Sequence, residues 1–196
     1  GNLLVKGLSV VVMILILAIV AKEDFGYVLL ALAVFGIAEV VTNPALQTTL
    51  LREPKLQDET IDVAWTISLI RGVALTTTLW LAAPILIAYW GKPPIIGDYL
   101  QILSLSFAIN GCANLHSIRL RRDLRFGRAF LIENAGAFAG SMSVILALLL
   151  TGESFWIVAG PVFGALVGTL VSLICVRPLP RLRLSAVEVQ RLWRFS

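Results

Sequence analysis

Charge is what this chain has least of. Asp, Glu, Lys and Arg make up 14% of its 196 residues, against about 25% in soluble domains. A surface this poor in charge does not belong to an ordinary water-soluble fold. Only two cysteines, Cys112 and Cys175, and one histidine, His116, are present. They form no CxxC or Cys/His spacing, which argues against a disulfide framework and a zinc site. No Walker A loop, nucleophile elbow, paired catalytic carboxylates or metal-ligand cluster can be read. The chain is therefore expected to be no enzyme and to need no cofactor. The arginines come without an aromatic stacking platform, so no nucleic-acid partner is expected either.

What the chain does have is long apolar runs. Gly7–Ala21 and Ser154–Val176 are uncharged, as is Tyr99–Ile118 apart from His116. Phe25–Leu51 carries only Glu39, Val63–Gly91 only Arg71, and Ala129–Gly152 only Glu133. A bilayer-spanning helix needs roughly 20 mostly apolar residues. Six such runs predict an all-α, polytopic membrane protein with six transmembrane helices. The helices are expected near 3–20, 27–50 (with a kink at Pro44), 61–90, 99–118, 130–150 and 155–176. Gly91-Lys92-Pro93-Pro94 and Thr151-Gly152-Glu153 read as breaks. Trp80, Tyr89, Trp90 and Tyr99 suggest an aromatic belt at the outer interface.

The net charge of +4 is unevenly placed. Arg119, Arg121, Arg122, Arg125 and Arg128 fill one connection, and Arg177, Arg181, Arg183, Arg191 and Arg194 the tail. Excess Lys and Arg marks the cytoplasmic side, and anionic headgroups suit such clusters. The expected topology has the N-terminus and the C-terminal segment inside. Residues 1–178 would be a six-helix transmembrane domain. Residues 179–196 would be a cytoplasmic interfacial segment, with Ser185-x-x-Glu188 as a capping box. The start at Gly1 and the stop at Ser196 suggest a piece of a longer chain.

Three expected helices carry polar stripes at helical spacing. They are Glu39, Asn43 and Gln47; Ser68, Arg71 and Thr78; and Ser106, Asn110, Asn114 and Ser117. Facing lipid, a charged group costs at least ~2.5–3.5 kcal/mol, so these stripes should face each other or a wet cavity. Arg71 and Glu39 lie at comparable depth. They could form a structural ion pair, or Arg71 could serve an anionic substrate, since its planar fork binds two phosphate oxygens. Lys6 could add a second positive group or simply snorkel. Glu133 suits a helix N-terminus by dipole alone. His116 could titrate or act as an interfacial hydrogen bonder. Gly136-x-x-x-Gly140 and Gly160, Gly164 and Gly168 mark close helix packing.

Several segments resemble a known family. Lys22-Glu23-Asp24-Phe25-Gly26-Tyr27 is similar to the turn after the first helix of oligosaccharide repeat-unit flippases. Leu50-Leu51-Arg52-Glu53, the Arg119–Phe126 loop with its Arg122-Asp123-Leu124-Arg125-Phe126, the Trp156 region and Arg191–Phe195 resemble later landmarks. After Gly152 the chain departs from the family pattern, lacking its second glycine and its Ala-Leu pair. The family is the Wzx-like polysaccharide transport branch of the multidrug/oligosaccharidyl-lipid/polysaccharide exporter superfamily.

The resemblance implies that these residues form the N-terminal lobe of a two-lobe exporter in the bacterial inner membrane. It implies flipping of undecaprenyl-diphosphate-linked oligosaccharide repeat units for O-antigen or exopolysaccharide synthesis. Arg71 and Lys6 would attract the diphosphate, and Glu39, Asn43, Gln47, Asn110 and Asn114 would line the sugar path. Membrane lipids and the polymerase and chain-length proteins of the pathway would be further partners. A drug or cation exporter of the same superfamily, a membrane glycosyltransferase and a scaffold subunit are the competing readings.

Overall fold

A computed structural model describes residues 2–42, 50–51, 57–124 and 126–183; at residues 2–6, 8, 9, 126 and 133 it describes the backbone alone. Every described element is helical. They are α1 (Asn2–Ile19), α2 (Lys22–Thr42), α3 (Asp58–Trp90), α4 (Ile95–Gly111), a 3-10 turn (Leu115–Ser117), α5 (Ile118–Arg122), α6 (Phe126–Thr151) and α7 (Phe155–Cys175). The Pro44 kink and the tail helix lie outside the described residues.

Among the described residues four helices, α2, α3, α6 and α7, are long and apolar enough to cross a membrane, and the bent pair of α4 with the segment after it raises this to five of the six expected spans. The remaining one, α1, is helical over Asn2–Ile19, with Val10–Ile19 as its described apolar stretch. The fourth expected span is interrupted, because helical hydrogen bonding stops at Gly111 and the chain turns by 60°. The Lys22–Gly26 turn is also revised, since these residues already belong to the start of α2.

Helix α3 has 33 residues, about 50 Å at 1.5 Å per residue. That exceeds the roughly 30 Å hydrocarbon core. Its polar start at Asp58–Asp62 therefore reaches beyond the apolar layer. Its other end stops in a left-handed Gly91 (φ 61°), with the Gly91 and Lys92 amides bonding back to Ala88 and Ile87. A residue with a Cβ is strained there. Pro93 and Pro94 then prevent continuation.

Helices α3 and α4 pack closely, as do α6 and α7, and α4 also touches α2 and α7. α1 leans on α6. Across α3/α4, Thr76 donates to the Ser104 carbonyl (2.7 Å) and accepts from the Ala108 amide (3.2 Å). Phe35 of α2 stacks on Phe107 of α4 at 4.5 Å. Between α6 and α7, glycines meet as the sequence led one to expect. A Cβ on Gly136 would lie 2.6 Å from the Gly164 carbonyl oxygen, and one on Gly164 the same distance from that of Gly136. Tyr99 is 5% exposed, with its hydroxyl 3.0 Å from Ser154 Oγ. It belongs to the core, whereas Trp80, Tyr89 and Trp90 stay exposed.

Candidate functional site

Arg71 sits where α3 touches α4 most closely. A Cβ on Gly111 would stand 2.8 Å from the Ser68 carbonyl oxygen, and Gly72 faces Phe107. Such contact leaves no room for a long side chain on that face, and the half-buried Arg71 reaches across to α2. There its Nη2 donates to Thr42 Oγ1 (3.0 Å) and to the main-chain oxygen of Glu39 (3.4 Å). The Glu39 side chain is exposed. The sequence left a pair with the Glu39 carboxylate open; the acceptors of Arg71 among the described residues are instead the Thr42 hydroxyl and the residue-39 carbonyl. The Nε of Arg71 is buried with no partner among the described residues. Asn43 and Gln47 lie outside the described residues, as does the side chain of Lys6.

The second polar region grows from the break after α4. The expected stripe Ser106, Asn110, Asn114, Ser117 needs one continuous helix, and the break splits it. Ser106 is buried without a hydroxyl partner among the described residues, and Asn110 is exposed. Asn114 is 1% exposed and its amide is fully used. Its Nδ2 donates to the carbonyls of Val176 (3.1 Å) and Pro178 (3.2 Å), while its Oδ1 accepts from the His116 amide (2.9 Å). Its own amide donates to Ser172 Oγ (3.0 Å). Thr169 Oγ1 donates to the Ile109 carbonyl (2.9 Å), and Trp65 Nε1 to that of Cys112 (3.3 Å). Broken backbone inside a membrane bundle survives only when its groups are satisfied this way, or line a cavity.

Here it does both. A cavity of about 700 Å³ lies beside the break, between α1, α4, α6 and α7. Asn110, Ser117, Arg121, Ser141 and Thr169 give it polar walls, and aliphatic residues such as Val12 and Ile132 give it greasy ones. The glycine seam adds bare backbone from Gly136, Gly140, Gly164 and Gly168. Arg71 stands level with the break along α3, yet it reaches toward α2.

The third region was missed as a cluster. His116 is 1% exposed, and its Nε2 lies 3.2 Å from Asp62 Oδ1. A carboxylate oxygen accepts, so Nε2 carries the proton. Its Nδ1 is 3.8 Å from Asp58, and Asp58 also pairs with Arg119. The same Asp62 oxygen accepts the Arg181 amide (3.1 Å). The sequence signal was present: Asp58 and Asp62 share a helix face at i, i+4. Only the break turns His116 toward that face.

No group of His, Cys, Asp and Glu among the described residues has the arrangement of a metal site. What the arrangement offers is a guanidinium fork for an anion, and a cavity lined by both polar and apolar groups. A family model described as polysaccharide biosynthesis protein matches residues 16–196. Comparison with curated proteins and with solved structures gives no significant match.

Proposed function

The chain belongs to the polysaccharide biosynthesis protein family, and we propose that it flips lipid-linked oligosaccharide repeat units across a bacterial inner membrane. The observation that carries this reading is the cavity of mixed polar and apolar lining beside a broken helix. Discontinuous helices commonly build the binding sites of membrane transporters. A polyprenyl-diphosphate-linked sugar is itself both polar and apolar. Its lipid suits the aliphatic wall, its sugars suit amides and hydroxyls, and its diphosphate suits a guanidinium. Arg121 at the cavity and Arg71 level with it are the groups for that charge. Asn110 and Asn114 both line the path, Asn110 exposed and Asn114 with its amide engaged at the break. The N-terminus and the Arg-rich connections would lie inside, within reach of polymerase and chain-length partners.

The full chain in proteoliposomes, loaded with a fluorescent polyprenyl-diphosphate oligosaccharide, tests this. Transfer between leaflets, read by quenching from one side, should exceed that of empty vesicles and fall at least tenfold in Arg121→Ala. Transfer equal to empty vesicles overturns the reading. Uptake of a cationic dye in place of the lipid would point to drug export.

A further inference from the structure

After α7 the chain runs on as an extended strap, 176–183, laid along the start of α3. Beyond its buried first residue, Val176, apolar side chains do little to hold it, since Leu179 and Leu182 are 50% and 72% exposed. Main-chain groups do most of the holding, beside an exposed Arg183–Glu59 ion pair (3.6 Å). The carbonyls of Val176 and Pro178 accept from Asn114. The amide of Arg181 donates to Asp62 Oδ1, and the amide of Arg183 to Thr66 Oγ1 (3.0 Å). The registers match: two residues of extended chain span about 6.6 Å, and four residues of helix about 6.0 Å. Asp62 is a firm post, buried and held by His116, and its own carbonyl accepts from Thr66 Oγ1 (2.8 Å).

The other end of this arrangement is the cavity. Asn114 sits in the break after α4, and it and its neighbours Asn110, Ala113, Leu115 and Ser117 form cavity wall. One amide side chain therefore joins that wall to the strap.

We propose that the strap is a latch on the cavity. Tied to Asp62 and Thr66, it holds Asn114 and fixes the break in its present shape. Released, it lets the break and the cavity wall change together. Each tie is a single hydrogen bond of modest net strength, so tied and untied forms lie close enough for a ligand to select between them. As control of transport the latch rests on the proposed function; as mechanical coupling it does not.

The test needs no ligand. The full chain in lipid nanodiscs carries Cys112→Ala and Cys175→Ala, plus one reporter. Ser141→Cys reports the cavity by its rate of maleimide labelling, and spin-labelled Leu182→Cys reports strap mobility. Proline has no amide hydrogen, so Arg181→Pro/Arg183→Pro removes both ties from the strap side and leaves α3 and His116 untouched. Arg181→Ala/Arg183→Ala removes the same side chains, the exposed Arg183–Glu59 pair included, and keeps the main-chain ties. The proline pair should raise strap mobility and change the Ser141→Cys labelling rate about fivefold or more, the lower bound for coupled sites. The alanine pair should match the parent. A labelling rate equal in both pairs overturns the latch, as does a strap no more mobile with proline than with alanine. A chain that shows the coupling yet moves no lipid-linked sugar would overturn the transport reading alone.

Discussion

On α3, Asp62 is 7% exposed and one of its oxygens takes two donors, from His116 and from the Arg181 amide. On the same helix Arg71 is half-buried, and its Nε has no partner among the described residues. The first group has its hydrogen-bonding capacity engaged by its own chain. The second has donors to spare. A saturated buried group is costly to disturb and has little left for a ligand. An under-used guanidinium is the reverse, for it keeps fork geometry that a planar anion can fill. Along α3 a structural polar cluster at the helix start is thus separated from a candidate binding group within the apolar run.

The sharpest way to break this contrast is at His116. His116→Ala removes a buried partner of Asp62 and leaves a carboxylate with the strap amide alone. A loss of about 2–4 kcal/mol is expected, read as a lowered midpoint of thermal unfolding in detergent. His116→Gln, whose amide can still donate to Asp62, should recover part of it. An unchanged midpoint for His116→Ala would erase the distinction between the two sites.

Asn114→Ala comes next. It strips the partners from the Val176 and Pro178 carbonyls and from the His116 amide. About 1–3 kcal/mol is expected, with Asn110→Ala, at an exposed position, within about 0.5 kcal/mol. Equal midpoints for the two would mean that the expected single stripe, rather than the break, describes these residues.

Arg71→Ala should cost the fold about 1 kcal/mol, the loss of its hydrogen bonds to Thr42 Oγ1 and the residue-39 carbonyl. Its effect on lipid transfer should be far larger, at least tenfold. Arg71→Lys should restore only part of that transfer, because charge remains and the fork does not. The measurement is leaflet transfer at matched expression beside the unfolding midpoint. Loss of stability and transfer in proportion would make Arg71 another structural group.

How much of this was legible follows from what hydropathy records. Runs of apolar residues locate α2, α3, α6 and α7 because spanning helices are set by length and lack of charge. The glycines of α6 and α7 announced their seam because close backbone approach requires them. The break at Gly111 was not legible from hydropathy, since Gly111-Cys112-Ala113-Asn114 is as uncharged as a helix would be. Asn114 was placed on a stripe that presumes continuity, so its role as the tie between α4, α7 and the strap could not be foreseen. Arg71 was located correctly on its helix. Its partner was left open because spacing speaks of side chains, and the acceptors are the residue-39 carbonyl and Thr42 Oγ1.

The smallest expected effect concerns the Glu39 carboxylate and decides how Arg71 is to be read. If the Glu39 carboxylate neutralised Arg71, Glu39→Ala would leave a guanidinium unpaired, and the double variant Arg71→Ala/Glu39→Ala would recover what each single change lost. The structure gives Arg71 the carbonyl of residue 39 instead, and every residue type supplies that. Glu39→Ala should therefore shift the unfolding midpoint by no more than about 0.5 kcal/mol. The coupling energy of the double-variant cycle should stay below about 0.5 kcal/mol, the level at which sites count as independent. Transfer of lipid-linked sugar should remain lost in the double variant, as in Arg71→Ala alone. Recovery of transfer there would return Arg71 to the class of Asp62, a charge kept for its partner, and would remove it from the candidate site.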